Sequence, residues 1–360
     1  MSNINVSIEQ VAEVVAHPNA DRLEIVKILG TQTVAPKGEY KVGDRVVFFP
    51  PDILLPPVVS DSLGVQKYLK GCYMGGLKVP CRIAACRLRG VPSYGFIIKA
   101  TDPSVPLGTD VSDYYQAEKY EPPPSTMDRR RFQGDCAADH PAFHKYTDIQ
   151  NYWKYAFAMP EGTPVRMTEK VHGTNSRVGY IRTEAGGYVF MGGSHKTNRK
   201  EFDAVGNRSI YWRPLTSAML GLLVSLSNNE HDVVVFGELY GSGIQDLDYG
   251  VPLGEIGYQV FDITVDGQYM DWIGVQAACR QYEINTVPLL YDGPFEKAVL
   301  EACTDGRTLV ANEVRSKFKG REGCVVTPLH ETWSDILGGR LILKSKSADY
   351  LDRKNPEDNE

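Results

Sequence analysis

The chain has few cysteines and no long hydrophobic run, and both observations narrow the class of protein to which it can belong. Its seven cysteines form no C-x-x-C pair, which predicts reduced thiols in a cytosol-like compartment. The longest apolar segment, AMLGLLVSL at residues 218–226, is too short to cross a bilayer. The opening MSNINVSIEQ has neither a basic start nor an apolar run, so we expect no signal peptide. These features predict a cytoplasmic protein with no membrane partner.

Acidic residues are missing from one long stretch. The net charge of the whole chain is −6, which argues against a nucleic-acid partner, yet residues 65–99 contain no Asp or Glu. The same stretch carries seven basic residues: Lys67, Lys70, Lys78, Arg82, Arg87, Arg89 and Lys99. Such a run is compatible with a solvated face or with phosphate binding. It therefore permits a nucleic-acid partner without requiring one.

The first part of the chain has the pattern of a small β-barrel. Residues 4–110 contain short β-branched runs such as RLEIVKIL and DRVVFFP, separated by turn residues and without long helical periods. The segment HPNADRLEIVKI resembles the start of OB-fold domains that bind tRNA. We therefore predict an OB-like module over residues 1–112.

The rest of the chain is predicted to be a connector and an α+β domain. YEPPPSTMDRRRF is typical of extended, surface-lying chain, so residues 113–145 are predicted to be a linker. Beyond them, strand-like runs dominate, with helices expected over 215–226 and 271–283 and a hairpin turn at VDG. We assign this second domain to residues 146–353 and expect a disordered tail over 354–360.

Five short motifs follow one another in the second domain. They are K-x-H-G-x-N from Lys170 to Asn175, FGELYG with Glu238, YQVFDI with Phe261, EGCVVTP with Glu322, and LILKSKS with Lys344 and Lys346. Each is weak alone, but their order and spacing resemble the nucleotidyltransferase motifs of covalent polynucleotide ligases. The histidine of the first motif resembles RNA ligases, since DNA ligases normally have aspartate there. With an OB-like module in front, the chain resembles family 5 of the ATP-dependent RNA ligases.

The resemblance implies a fold and an activity. The fold class is α+β, with an N-terminal OB-like β-barrel followed by an antiparallel-sheet nucleotidyltransferase domain of the ATP-grasp-like ligase and capping superfamily. The activity is an RNA ligase that joins 3′-OH and 5′-phosphate ends, at nicks in duplexes with an RNA 3′-OH strand, through lysyl-AMP. The implied cofactors are ATP and Mg2+ or Mn2+, and the partners are a nicked RNA-containing duplex or RNA ends. We expect a monomer. The alternatives are a DNA ligase, a capping-type nucleotidyltransferase, or a catalytically inactive nucleic-acid-binding protein.

The chemistry explains the predicted catalytic residues. A lysine amine has a pKa near ~10.4 and is mostly protonated at neutral pH, so a nucleophilic Lys170 needs neighbouring cations that lower its pKa. Lys344 and Lys346 are two residues apart on a predicted strand, so both side chains point to one face and can reach one phosphate. Glu238 and Glu322 carry hard oxygen ligands suited to Mg2+ or Mn2+.

The remaining predicted contacts fall on the nucleotide and on the nucleic acid. Phe261 is predicted to stack on adenine, with a core phenylalanine as the alternative. The resemblance implies that Glu169 meets adenine through its backbone and that Glu238 also holds ribose hydroxyls. Asn175 would bind sugar or a nick terminus, and either Lys196 or Arg199 in GGSHKTNRK would contact the nucleotide. His172 would contact substrate phosphate or else stabilise the turn. The predicted phosphate contacts of the first module are Lys78, Arg82, Arg87 and Arg89.

Overall fold

The computed structural model describes residues 5–74, 77–120, 135–241, 243–245, 247–311 and 318–351. The chain divides into two compact units: the first consists of residues 1–124, 150–160 and 333–339, and the second of residues 125–149, 161–332 and 340–360. The predicted boundaries at residues 112 and 146 stay predictions. Part of the predicted linker, residues 121–134, and the predicted tail lie outside the described residues. No helix among the described residues is long and apolar enough to cross a membrane.

The first unit consists mainly of short antiparallel strands. Its strands are β1 (Ser7–Gln10), β2 (Glu13–Ala16), β3 (Leu23–Ile28), β4 (Thr31–Pro36), β5 (Arg45–Phe49), β6 (Ile53–Leu54), β7 (Lys70–Met74), β8 (Leu77–Arg82), β9 (Cys86–Leu88), β10 (Val91–Ser93), β11 (Phe96–Lys99), β12 (Glu118–Lys119) and β13 (Gln150–Asn151). Short helices span Pro57–Ser62, Gln66–Tyr68, Tyr152–Lys154 and Ala156–Ala158. Strand β5 pairs with β1 and β11, β3 pairs with β2 and β4, and β8 pairs with β6 and β7. Val26, Val46 and Phe48 form the centre of the core.

Two cysteines of this unit are joined by a disulfide, so the prediction of reduced thiols is wrong for them. Cys72 on β7 and Cys81 on β8 have their Cα atoms 6.2 Å apart, within the usual range for a disulfide. The antiparallel pairing of the two strands brings together residues that are nine apart in sequence. A search for C-x-x-C pairs cannot detect this proximity. The other five cysteines are thiols.

The second unit contains two antiparallel sheets. Its strands, with the short β23 that belongs to the first unit, are β14 (Pro164–Lys170), β15 (Thr174–Arg182), β16 (Tyr188–Ser194), β17 (Asn198–Arg199), β18 (Val233–Tyr240), β19 (Gly257–Val265), β20 (Gln268–Tyr269), β21 (Leu289–Pro294), β22 (Gly323–Pro328), β23 (Trp333–Ser334), β24 (Gly339–Arg340) and β25 (Leu343–Lys346). One sheet has the order β17-β16-β15-β18-β19-β20, and the other contains β25-β22-β14-β21. The helices are Ile210–Trp212, Ser217–Ser227, Trp272–Gln281, Lys297–Thr304 and Ala348–Leu351. Both predicted helices and the VDG turn are present, whereas Lys297–Thr304 was not predicted.

The six-stranded sheet has a different partner on each face. Leu222 and Val275 from the two longest helices pack on one face against Val235. On the other face, Phe236 packs in a cluster with Val325 of the second sheet. Side chains alternate along a strand, so Glu238, two residues beyond Phe236, points toward the second sheet.

A buried ionic network joins the two sheets. Asp262 on β19 accepts hydrogen bonds from Arg166 on β14, at 3.2 Å, and from Arg340, at 2.6 Å. Tyr146 also donates to Asp262. Because these charged groups are buried and paired, removing Asp262 would leave the buried charge of Arg166 without its carboxylate. The network therefore fixes β19 against β14.

Candidate active site

Lys170 stands at the end of a central strand. It is the last residue of β14, and it pairs in register with Gly323 of β22. Its Nζ lies 2.7 Å from Oε1 of Glu322, and the lysine side chain is 22% exposed whereas the glutamate is 3% exposed. The site therefore holds a partly accessible amine against a buried carboxylate.

Three cationic or potentially cationic groups surround that carboxylate. Lys346 Nζ lies 3.3 Å from the same Oε1 atom, and His172 Nδ1 lies 3.5 Å from Oε2. Burial alone would raise the pKa of Glu322, but the charges of Lys170 and Lys346 and the contact with His172 hold it well below its usual range. Glu322 is therefore ionised and pairs with Lys170 in its ammonium form. The ion pair fixes the position of the lysine amine.

Two glycines allow the close approach of the strands that carry these groups. A Cβ atom at Gly173 would lie 2.0 Å from the carbonyl oxygen of Leu239, and one at Gly323 would lie 1.9 Å from that of Ser345. Any other residue would push the backbones apart. The glycines of K-x-H-G-x-N and EGCVVTP thus hold the Lys170 turn against β18, and Glu322 against β25.

A row of three polar side chains crosses the six-stranded sheet. Glu238 on β18 lies opposite Asn175 on β15 and opposite Gln259 on β19, so all three point to the same side. Within the described residues, the buried Asn175 Oδ1 and Gln259 Oε1 atoms have no hydrogen-bond partner. Because buried polar atoms are normally paired, the row has the character of a ligand site. Gln259 was not predicted, since only pairing across strands reveals its position.

The pKa of the Glu238 carboxyl is shifted from its ordinary value. Burial raises its pKa to about 8; the charge of Lys170 opposes the rise and that of Glu322 adds to it. The folded protein therefore keeps the proton on Glu238 over a pH range in which the unfolded chain loses it, and stability falls as the pH rises from the ordinary glutamate value of 4.5 to about 8.

We expect Glu238→Gln to reduce the pH dependence of stability. The ligand-free wild-type protein should lose melting temperature as the pH rises from 4.5 to about 8, whereas the variant, which has no carboxyl to ionise at this position, should lose less. Thermal denaturation at the two ends of this pH range measures the difference. The exposed Glu301 provides a matched control in Glu301→Gln, and parallel curves for wild type and Glu238→Gln would contradict the assignment.

His172 is buried rather than presented to a substrate. The residue is 3% exposed, and its Nδ1 lies 2.8 Å from the hydroxyl of Tyr350. Its main-chain N–H donates to the hydroxyl of Tyr249 at 2.8 Å. Of the two predicted roles, stabilisation of the turn fits this placement better than contact with substrate phosphate. Neither tyrosine was predicted, because both are distant in sequence.

Comparison with known proteins identifies the family. A family model described as RNA ligase matches residues 163–346, about half of the chain. The chain belongs to the RNA ligase family. The match confirms the resemblance read from the five motifs, and a second model, an OB-fold domain, matches residues 5–100 and confirms the predicted barrel.

Solved structures support the same fold over nearly the whole chain. Naegleria gruberi RNA ligase with PPi has a TM-score of 0.64 at 23% identity, covering 97% of this chain and 98% of that one. A variant of that enzyme with ATP and Mn also gives a TM-score of 0.64 at 23% identity, covering 96% and 98%. No curated protein sequence matches the chain. The predicted α+β class is confirmed for this RNA ligase.

Phe261, a predicted adenine contact, lies at an irregularity of strand β19. Val260 pairs with Gly237 and Asp262 with Phe236, so Phe261 is the extra residue of a β-bulge, a device that re-aims a side chain. Its half-buried ring lies 4.8 Å from that of Tyr146, so stacking and core packing both stay open.

Glu169 is tied into the protein at both its backbone and its side chain. Its N–H donates to the carbonyl of Pro288 at 2.8 Å. Its carboxylate accepts from the hydroxyl of Thr308 at 2.5 Å and from the N–H of Leu309 at 2.7 Å. Burial raises the pKa of Glu169. The residue anchors the 308–309 segment, and its contact with adenine stays a prediction.

The segment with the two alternative nucleotide contacts is a tight turn after β16. Arg199 is buried beside the ring of Tyr211, whereas Lys196 is exposed. The turn is held by buried Arg177, which donates to the carbonyl of His195 at 2.7 Å. Exposure favours Lys196 as the side chain that reaches a ligand.

Lys344 lies on β25 opposite Val325, two residues before Lys346, as predicted.

The basic residues of the first unit divide into two kinds. Arg82 forms an ion pair with Asp52 at 2.7 Å and lies over the ring of Tyr120, so its charge is already paired within the fold. Lys78, Arg87 and Arg89 are exposed, and they remain the predicted phosphate contacts.

The tip of the β9–β10 hairpin carries Arg89 in a fixed conformation. Arg89 and Gly90 have φ angles of 49° and 89°, which form the two-residue turn typical of tight hairpins. His17 Nε2 lies 3.0 Å from the carbonyl of Leu88, and Asn19 Nδ2 donates to the carbonyl of Arg89 at 3.2 Å. The HPNA segment thus holds the hairpin that presents Arg89.

Proposed function

We propose that this RNA ligase joins 3′-OH and 5′-phosphate ends through lysyl-AMP, acting at nicks in duplexes with an RNA 3′-OH strand. The observation that carries the proposal is the placement of Lys170 Nζ 2.7 Å from a buried, ionised Glu322 that also pairs with Lys346. This pair holds a partly exposed amine in one position, and fixed placement is what a lysine nucleophile needs.

The residues present fit ATP with a divalent cation. Burial raises the pKa of Glu238 and the charge of Glu322 adds to the rise. A cation shared by the two carboxylates would relieve the repulsion between them. No group of three or more His, Cys, Asp or Glu among the described residues could hold a metal alone, so water and phosphate oxygens would complete the coordination, as is usual for Mg2+. A bound Mg2+ or Mn2+ would supply positive charge to the phosphates. The Naegleria variant with ATP and Mn supports this assignment.

Lys170 performs the first step. Its amine, once it has lost its proton to solvent water, attacks the α-phosphorus of ATP; a P–N bond forms and the bond to the bridging oxygen breaks, releasing pyrophosphate. Lys344 and Lys346 offset the charge that develops on the phosphates. The AMP then passes to a 5′-phosphate, which frees Lys170, and a 3′-hydroxyl attacks the adenylated end and expels AMP.

Paired substrates test this proposal against its alternatives. The full chain should form a covalent adduct with labelled ATP and not with GTP, and it should seal a nick with an RNA 3′-OH faster than one with a DNA 3′-OH. Preference for GTP would favour a capping-type enzyme. Equal sealing of RNA and DNA 3′-OH ends would contradict the proposed substrate, and the absence of any adduct would leave a binding protein.

The exposed arginines of the β9–β10 hairpin are expected to bind the substrate backbone. Replacing Arg87 and Arg89 with alanine should weaken nick binding and reduce its salt dependence, by roughly one unit of slope for each arginine that binds a phosphate. Adenylylation of Lys170 should not change, because ATP needs no contact with the hairpin. Lys41→Ala, which removes an exposed charge outside the basic run, is the matched control. Unchanged salt dependence in the double variant would remove the hairpin from the interface.

A further inference from the structure

The His172 turn is held by two tyrosine hydroxyls from distant parts of the chain. Tyr249 accepts the main-chain N–H of His172, and its own backbone has the left-handed φ of 49°. Tyr350, in the helix Ala348–Leu351, contacts the ring nitrogen Nδ1 at 2.8 Å. Both tyrosines are buried. The two contacts fix both the backbone and the ring of the residue that lies two positions after the nucleophile.

Tyr350 is the end of a chain of contacts that leads to Lys170. His172 Nδ1 is 2.8 Å from the hydroxyl of Tyr350 and 3.5 Å from Oε2 of Glu322. The other oxygen of Glu322 is 2.7 Å from Lys170 Nζ. Tyr350 itself is fixed, since it is 1% exposed and its main-chain N–H donates to Ser347 Oγ at 3.0 Å.

One ring nitrogen has to serve two oxygens. Nδ1 either carries a hydrogen or accepts one. The hydroxyl of Tyr350 is the nearer oxygen and takes the better hydrogen bond with Nδ1, so Glu322 receives only a weak share of this nitrogen and is left to Lys170 and Lys346. Without that hydroxyl, a hydrogen on Nδ1 would be donated to Glu322 alone. The carboxylate would then be drawn toward His172 and away from Lys170.

We propose that Tyr350 is a positioning residue for lysine adenylylation, and that it acts through His172 to hold Glu322 in the orientation that aligns Lys170. The inference rests on the proposed function, because it presumes that Lys170 receives AMP. It concerns only the step in which the amine of Lys170 attacks.

Tyr350→Phe in the full chain tests the inference. Bound AMP is first discharged with pyrophosphate, and the rate of lysyl-AMP formation is then measured against ATP concentration. The maximal rate should fall roughly tenfold with little change in KM, since the variant lacks one buried hydrogen bond near the nucleophile. Joining of a strand supplied already adenylated should keep its wild-type rate. Tyr291→Phe removes a hydroxyl that donates to the carbonyl of Pro294 at 2.9 Å, and it should change neither rate.

Further variants separate positioning from a general structural effect. In a His172→Asn background, adding Tyr350→Phe should cause no further loss, because the imidazole through which Tyr350 acts is already absent. Normal adenylylation by Tyr350→Phe, an equal loss in the joining of the adenylated strand, or additive losses in the double variant would each overturn the inference. If Tyr350→Phe does not fold, a wild-type maximal rate in His172→Asn overturns it instead. Failure of the wild-type protein to form lysyl-AMP would refute the proposed function itself.

Discussion

Lys170→Ala should form no covalent AMP adduct and should seal no nick when ATP is the only source of adenylate. No other amine is expected to reach the α-phosphorus, so the rate should fall by more than about a thousandfold. The variant should still join a strand supplied already adenylated, because the last step needs no lysyl-AMP. Gel assays with labelled ATP and with adenylated substrate measure the two activities separately.

Two further variants make this result specific. Lys170→Arg keeps a positive charge beside Glu322 but cannot be deprotonated, so it should be as inactive in adenylylation as the alanine variant. Lys145→Ala removes an exposed lysine of the same unit and should behave as wild type. An adduct that persists in Lys170→Ala would remove this lysine from the nucleophilic role.

Glu322→Gln should give the second largest loss. The substitution keeps the shape of the side chain but removes the charge that holds Lys170 in place and one of the two carboxylates proposed to share the divalent cation. We expect the maximal rate of lysine adenylylation to fall by about a hundredfold or more, beyond any modest loss of ATP affinity. Lys344→Ala should impair the same step. Single-turnover rates at saturating ATP and Mn2+ are the measurement.

The control and the contrary outcome for Glu322 are well defined. Glu301→Gln changes an exposed glutamate of the same unit and should leave adenylylation unchanged. A near-normal rate for Glu322→Gln at saturating ATP would mean that the carboxylate stabilises the resting structure of the site and does not act in the transition state of adenylylation. The EGCVVTP motif would then have been misinterpreted.

The grouping of charged residues around the proposed nucleophile was predictable from the sequence. Lys170, Glu322 and Lys346 were predicted to belong to one site, and their side chains lie together; their catalytic roles stay predictions. Residue types and motif order carry the information on this grouping. Phe261 was predicted without its bulge, since a bulge depends on the register between two strands.

Contacts over long sequence distances were not predictable. Tyr350 and His172 are 178 residues apart, and no local pattern marks a tyrosine in the segment that follows LILKSKS. Arg82 was predicted as a phosphate contact because its neighbours in sequence include no acid. Its partner Asp52 comes from outside that run and is brought to it by folding. Local charge counts therefore overestimate the free positive charge of the basic run.

Mapping the site of the covalent adduct tests the central claim most directly. The full chain is incubated with α-labelled ATP and Mn2+, digested, and the labelled peptide is sequenced by mass spectrometry. We predict AMP on Lys170 through an acid-labile P–N bond, with the label discharged by added pyrophosphate. AMP on any other residue, or a label that pyrophosphate does not remove, would contradict the account.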